Sequence, residues 1–196
     1  MPRVIAGKAR GRALKTPAGQ SVRPTTDRVK ESVFNIINPL LADCVFVDLF
    51  AGSGSIGIEA LSRGAGVCHF CDDDAQAMAT VKSNLTSTGL MSSSVILTLG
   101  DYRSVIARLS REGTMADIVY CDPPYSTGAA AEVLVTLGDG EALSGDSIVL
   151  IEHHRDETLP ISIGQLSRYR QKEYGTIVVS FYRNQRMKPG ERGEKL

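Results

Sequence analysis

Apolar positions along this chain fall into short runs of two kinds, and the two kinds alternate. Val45-Phe46-Val47-Asp48-Leu49, Val67 to Cys71, Val95 to Leu99, Ile118 to Cys121 and Ser147 to Ile151 are brief, mostly apolar stretches bounded by turn residues, the pattern of parallel strands buried on both faces. Between them, Ile56 to Arg63, Asp74 to Thr88, Ser104 to Arg111 and Ala129 to Leu137 read as helices, the first two stopped by Gly64 and Gly89. An earlier helix begins near Arg23-Pro24-Thr25-Thr26-Asp27, where Thr or Asp can cap free amides, and Val29, Val33, Ile36, Ile37, Leu40 and Leu41 give it one apolar face. The last two runs, Leu166 to Tyr174 and Thr176 to Tyr182, are joined only at Gly175 and should pair as an antiparallel hairpin. The pattern predicts a doubly wound α/β sheet of about seven strands. Residues 1–22 form a basic arm or short hairpin, residues 23–183 the main domain, and residues 184–196 a polar, frayed tail.

Composition narrows the class. The chain has 196 residues, 42% hydrophobic and 22% charged, ordinary proportions for one globular domain. No run approaches the roughly 20 apolar residues of a membrane span, and the basic N-terminus lacks the apolar core of a secretory signal, so a cytoplasmic location is expected. Cys68 and Cys71 form a lone C-x-x-C inside an apolar strand, where i and i+3 face opposite ways; buried thiols and no metal are expected. The net charge of zero conceals a segregation. Residues 1–34 carry eight Lys/Arg against two acids, residues 168–196 eight against three, and residues 35–167 six against seventeen. An acidic body with two basic ends suits a polyanionic partner.

On such sheets ligands bind beyond the carboxyl ends of the strands, and the chemistry-bearing residues lie there. The first strand enters Asp48-Leu49-Phe50-Ala51-Gly52-Ser53-Gly54-Ser55-Ile56-Gly57, a G-x-G-x-x-G turn where a ligand approaches the backbone closely. An acid four residues before the first glycine would repel a pyrophosphate but suits a ligand carrying a sulfonium and an ammonium group. The second strand ends in Asp72-Asp73-Asp74; a carboxylate there can accept from both ribose hydroxyls, Asp72 being best placed and Asp74 the cap of the next helix. After the third strand, Asp101 can accept from an adenine amino group while Tyr102 covers the ring.

The fourth strand enters Asp122-Pro123-Pro124-Tyr125. An exocyclic amine is a poor nucleophile because its lone pair is delocalised into the base. Asp122 and the Pro123 carbonyl can accept its two hydrogens and turn the lone pair toward a methyl donor. The prolines stiffen the loop and Tyr125 can stack on the base. Orienting two reactants is worth roughly 7–11 kcal/mol, so positioning can supply most of the catalysis.

Taken together, Asp48 to Gly54, Gly57-Ile58-Glu59-Ala60-Leu61-Ser62-Arg63-Gly64, Asp122 to Tyr125, Arg23 to Asn35 and the opening Arg3 to Arg12 resemble one family, the bacterial small-subunit ribosomal RNA guanine-N2 methyltransferases (RsmD-like). The resemblance spans about residues 3–183. It implies a Rossmann-like class I methyltransferase fold using S-adenosyl-L-methionine, with Asp48, Phe50, Ala51, Gly52, Ser53 and Gly54 at the methionine part, Asp72 and Asp73 at the ribose, and Asp101 and Tyr102 at the adenine. Asp122, Pro123, Pro124 and Tyr125 would hold a guanine of the 966 type in 16S rRNA. Arg3, Lys8, Arg10, Arg12, Arg23 and Arg28 would meet the RNA of the small ribosomal subunit, the enzyme acting as a monomer. The family usually has Glu at the position of Asp72 and a basic residue at that of Asp73. An RNA or DNA methyltransferase acting on adenine N6 or cytosine N4 is the alternative. A nicotinamide-dependent oxidoreductase leaves Asp48 and Asp122 to Tyr125 unexplained, and a non-catalytic RNA-binding factor leaves the acceptor loop unexplained. Removing residues 1–20 is expected to weaken RNA binding and spare the cofactor.

Overall fold

A computed structural model describes residues 2–17, 27–125 and 127–185. Arg23, most of the expected helix start and residues 186–196 lie outside them. The strands are β1 (Val45–Leu49), β2 (Val67–Asp72), β3 (Val95–Leu99), β4 (Ala116–Cys121), β5 (Leu143–His154), β6 (Ser162–Ile163), β7 (Leu166–Tyr174) and β8 (Ile177–Asn184). The helices are α1 (Asp27–Ile37, continued by a 3-10 turn), α2 (Ser55–Ser62), α3 (Ala75–Thr88), α4 (Tyr102–Glu112) and α5 (Ala129–Gly138). They build one sheet of order β3-β2-β1-β4-β5-β8-β7-β6, parallel from β3 through β5 and antiparallel beyond. The two-residue β6 was not anticipated, because two residues carry no periodicity.

Alternation along each central strand sorts the core into two layers. Phe46, Cys68, Phe70, Ile118, Tyr120, Ile148 and Leu150 pack against α1, α2 and α3. Val47, Leu49, Cys71, Val119, Cys121, Val149 and Ile151 pack against α4 and α5. The four cysteines are buried free thiols, with Cys68 and Cys71 in opposite layers. Gly57 allows α2 to approach β2: a Cβ there would stand 2.3 Å from the Phe70 ring and 2.9 Å from Cys68 Sγ.

The N-terminal residues pack on the body rather than standing away from it. Arg3 and Ala13 form an antiparallel bridge, and Val4, Ala9 and Leu14 are buried in the same core layer as α1 and α2. The Glu59 carboxylate accepts from the Ile5 and Ala6 amides at 2.7 and 3.0 Å, and from Arg63 Nε at 2.7 Å. Ser62 Oγ accepts from Ala9 N (2.9 Å), while Asn84 accepts from Lys15 N (2.9 Å) and donates to the Lys15 carbonyl (3.0 Å). Lys30, alone among the described basic residues of this end, has a fully buried side chain, its Nζ donating to the Arg3 carbonyl (2.5 Å) and Ser55 Oγ (2.9 Å) and lying 3.7 Å from Glu59. A buried cation needs that many partners, since desolvation alone costs several kcal/mol.

Candidate active site

The strand order reverses between β1 and β4, where a doubly wound sheet opens a crevice at its carboxyl edge. Two adjoining hollows occupy it. One is lined by Asp48, Ala51, Gly52, Ser53, Tyr120 and Asp122, together with Pro2, Thr16, Ser55 and Ile56. The other is lined by Asp72, Asp73, Gly100, Asp101 and Tyr102. Phe50 lines both. Its φ of 65° is left-handed, a rare conformation for a side chain with a Cβ. Its ring lies 5.3 Å from that of Tyr102.

Local structure explains each placement. Alternation turns Asp48 toward α2, where Oδ2 accepts the Gly57 amide at 2.8 Å, one of the donors a helix start leaves unpaired. Gly54, at φ 76°, is the left-handed N-cap of α2 and lines neither hollow. Asp72 holds the glycine turn to β2 by accepting from Gly52 N (2.7 Å), and its other oxygen accepts from Asp74 N (3.0 Å). Asp74 caps α3 through Gln76 N. Asp101 caps α4 through Arg103 N (2.7 Å) and pairs with the Arg103 guanidinium at 2.9 Å. That guanidinium lies 4.7 Å over the Tyr102 ring.

Asp122 opens into the same hollow as the glycine turn, while Pro123, Pro124 and Tyr125 line neither. Pro123 is buried and Pro124 exposed, and the Pro124 carbonyl accepts the Thr127 hydroxyl at 2.8 Å. Tyr125 is half-buried and donates to Glu152 Oε1 at 3.1 Å; the buried Tyr120 donates to Glu152 Oε2 at 2.7 Å. Asp48 and Glu152 are buried, and the half-buried Asp122 completes an acidic centre with them. Burial, then the Glu152 and Asp48 charges, hold Asp122 well above the usual carboxylate range. Burial raises Asp48 to about 8, against the opposing Gly57 hydrogen bond and with a further push from Asp72. A cationic ligand would offset this clustering of acids.

Sequence reasoning passed over Glu152, Tyr120, Arg103, Asn84 and the Lys30–Glu59 pair. Glu152 had a readable signal, since it follows an apolar run as Asp72 does. Tyr120, Asn84 and the Lys30–Glu59 pair are joined by contacts across tens of residues that no local pattern carries, and Arg103, beside Asp101, also reaches Glu132 at 2.6 Å. Arg3, Lys8, Arg10, Arg12 and Arg28 are exposed, Arg3 pairing with Asp27 at 3.0 Å. The arm also walls the cleft: Pro2 and Thr16 line it, and Asn84 links Lys15 to the Ser53 carbonyl of the glycine turn (2.8 Å). Residues 1–20, expected to be dispensable for the cofactor, thus contribute Pro2 and Thr16 to the lining of the hollow that holds Asp48 and Asp122. Among the described residues no cluster of three or more His, Cys, Asp or Glu could hold a metal ion, and no helix is long and apolar enough to cross a membrane.

This sheet order, with acids closing successive strands around one crevice, defines a Rossmann-like methyltransferase fold of class I with a C-terminal antiparallel hairpin. The solved Escherichia coli structure of yhhF superposes with a TM-score of 0.78 at 32% identity, over 93% of this chain and 97% of that one. The chain belongs to the family described as Conserved hypothetical protein 95, whose model matches residues 2–183. Relatives include YlbH of Bacillus subtilis, 41% identical over 92% of this chain and 98% of its own length. Another is ribosomal RNA small subunit methyltransferase D of Escherichia coli, 33% identical over 93% and 90%.

Proposed function

We propose that this chain is an S-adenosyl-L-methionine-dependent rRNA methyltransferase that modifies the exocyclic N2 amine of a guanine in 16S rRNA, the 966 type. The relatives' names support the rRNA substrate. The observation that carries the chemistry is that Asp122 and the glycine turn with Asp48 line one hollow, so an amine acceptor and a methyl donor can meet there. Bound there, the cofactor supplies an electrophilic methyl on a sulfonium. Asp48 would face its cationic methionine part, Asp72 and Asp73 its ribose, and Asp101 and Tyr102 its adenine. Asp122 and the Pro123 carbonyl would accept the amine's two hydrogens, aiming the nitrogen lone pair at the methyl carbon. The amine's surplus proton after methylation would leave by way of the Asp122 carboxylate to water. Tyr125, tethered by Glu152, would stack on the guanine. Arg3, Lys8, Arg10, Arg12, Arg23 and Arg28 would meet the flanking RNA, in a cytoplasmic monomer.

Tritiated-methyl transfer to small ribosomal subunits, with mass-spectrometric mapping of the modified base, tests the reading. Asp122→Ala should abolish transfer while cofactor binding persists. Labelling of duplex DNA alone would assign the adenine N6 or cytosine N4 alternative instead.

A further inference from the structure

Beyond the cleft and the N-terminal basic residues, a wide, shallow groove runs between α1 and β7. Its construction follows from two periodicities. Val29, Val33, Phe34 and Ile37 anchor α1 to the sheet, leaving Arg28, Ser32 and Asn35 as a stripe at i, i+4 and i+7 along the groove. On β7, Arg170, Lys172 and Tyr174 share one face at i, i+2 and i+4. Tyr174 donates to Ser32 Oγ at 2.6 Å, which clamps strand to helix and gives a polar floor. Arg28, Arg170 and Lys172 form the cationic walls and are exposed. Among the described residues none of the three makes an ion pair with a carboxylate, and Glu31 is the one acid lining the groove.

The groove also has a direction. Glu31 lines both it and a neighbouring hollow of about 630 Å³ that includes Arg3 and Arg10. Pro2, adjacent to Arg3 in the chain, lines the cleft that holds Asp48 and Asp122. The basic residues of the two chain ends therefore meet in one track leading away from the acidic centre.

We infer that the α1–β7 groove binds the phosphodiester backbone of the RNA segment flanking the target base. Long, exposed cations beside serine and asparagine donors suit phosphate oxygens and ribose hydroxyls, and the track places that backbone on the way to the cleft. The inference rests on the proposed RNA substrate and extends it to Asn35, at the end of the Arg23 to Asn35 string, and to Arg170 and Lys172 on β7.

The test uses the full chain with two probes, protein-free 16S rRNA and isolated small ribosomal subunits. Affinity is measured across a salt series, alongside transfer kinetics and calorimetric cofactor binding. Arg170→Gln/Lys172→Gln should flatten the slope of log K against log salt by about 1.4, at roughly 0.7 for each phosphate no longer neutralised. KM for RNA should rise about tenfold or more, with kcat at saturating RNA and cofactor affinity unchanged. Arg170→Glu/Lys172→Glu should exceed it in KM. An unchanged slope and KM would overturn the inference. So would a weakening seen on subunits but absent on protein-free rRNA, which would make the groove a docking surface for an acidic ribosomal protein. Should the wild type bind rRNA without methylating it, the activity reading falls while the slope comparison still decides the groove.

Discussion

Asp48 offers the sharpest quantitative test of the site. Its carboxyl is buried against the α2 start and raised to about 8, from the 3.8 of an ordinary aspartate. The ligand-free protein at pH 7 therefore holds it mostly neutral, whereas a cofactor bearing a sulfonium and an ammonium group favours the carboxylate. With that value, roughly 1% of sites are ionised at pH 6 and about half at pH 8, so requiring the carboxylate strengthens apparent affinity about fifty-fold over this interval. The cofactor's own amino group titrates near 7.7–8.0 and works the other way. The proper readout is thus the ratio of wild-type to Asp48→Asn affinity at each pH. Asn keeps an acceptor for the Gly57 amide and has no charge to lose. By titration calorimetry the ratio should be near one at pH 6 and rise steadily to pH 9, with protons released on wild-type binding above those released by the variant.

The same shift sets the sign for stability. A carboxyl raised on folding stabilises fully below about pH 4, and that contribution is lost as pH rises toward 8. The ligand-free wild type should lose thermal stability from pH 6 to 8.5, and Asp48→Asn should lose less. A pH-independent affinity ratio would refute the assignment of the fixed cationic contact to Asp48.

Other consequences follow from named contacts. Glu152→Ala removes both tyrosine tethers and should cut kcat by about a hundredfold, the cost of small misplacements of reacting groups. Glu152→Gln should shift the acid limb of kcat/KM to lower pH, because one of the charges raising Asp122 is gone; an unshifted limb would remove Glu152 from that role. Glu59→Gln strips a buried ion pair and weakens the bonds to Ile5 and Ala6. By scanning calorimetry it should cost about 3–5 kcal/mol and weaken cofactor binding through the arm that walls the cleft; equal stability to wild type would contradict the network. Gly57→Ala should destabilise by about 1–3 kcal/mol through overpacking against Phe70, although alanine is the better helix former. A gain in melting temperature would show that the contact is relieved cheaply.

The parallel half of the sheet was legible because each strand is a compact apolar run with its acid at the carboxyl end. Burial on both faces and binding at strand ends are separate constraints, and Val45 to Leu49 followed by the glycine turn satisfies both. Where one constraint slackens, boundaries drift. β5 begins at Leu143 and ends at His154, beyond the apolar run of Ser147 to Ile151, because antiparallel pairing with β8 from Ile148 through His154 carries the strand past it. Helix starts drifted for the opposite reason. Tyr102 is already helical because Asp101 caps it, so the acid expected to meet the adenine also serves the α4 backbone.

The N-terminus shows why charge alone underdetermined its role. Eight basic residues against two acids describe a solvated tail as well as a binding arm. What separates those descriptions is Val4, Ala9 and Leu14 in the core, together with three partners that lie far away in sequence: Glu59, Ser62 and Asn84. Glu59 is fully buried in α2 among Ile56, Ile58, Ala60 and Leu61. Only the two backbone amides, the buried Lys30 and Arg63 converging on it explain its tolerance. One structure thereby serves two ends. The contacts that fix the exposed Arg3, Lys8, Arg10 and Arg12 at the surface also hold the glycine turn, through Lys30 on Ser55 and Asn84 on Ser53. RNA engaging the arm would thus bear mechanically on the cofactor hollow. Cofactor affinity should then change when 16S rRNA is present, and RNA affinity should change by the same factor when cofactor is present. Equal affinities in both comparisons would mean that the arm is a rigid wall.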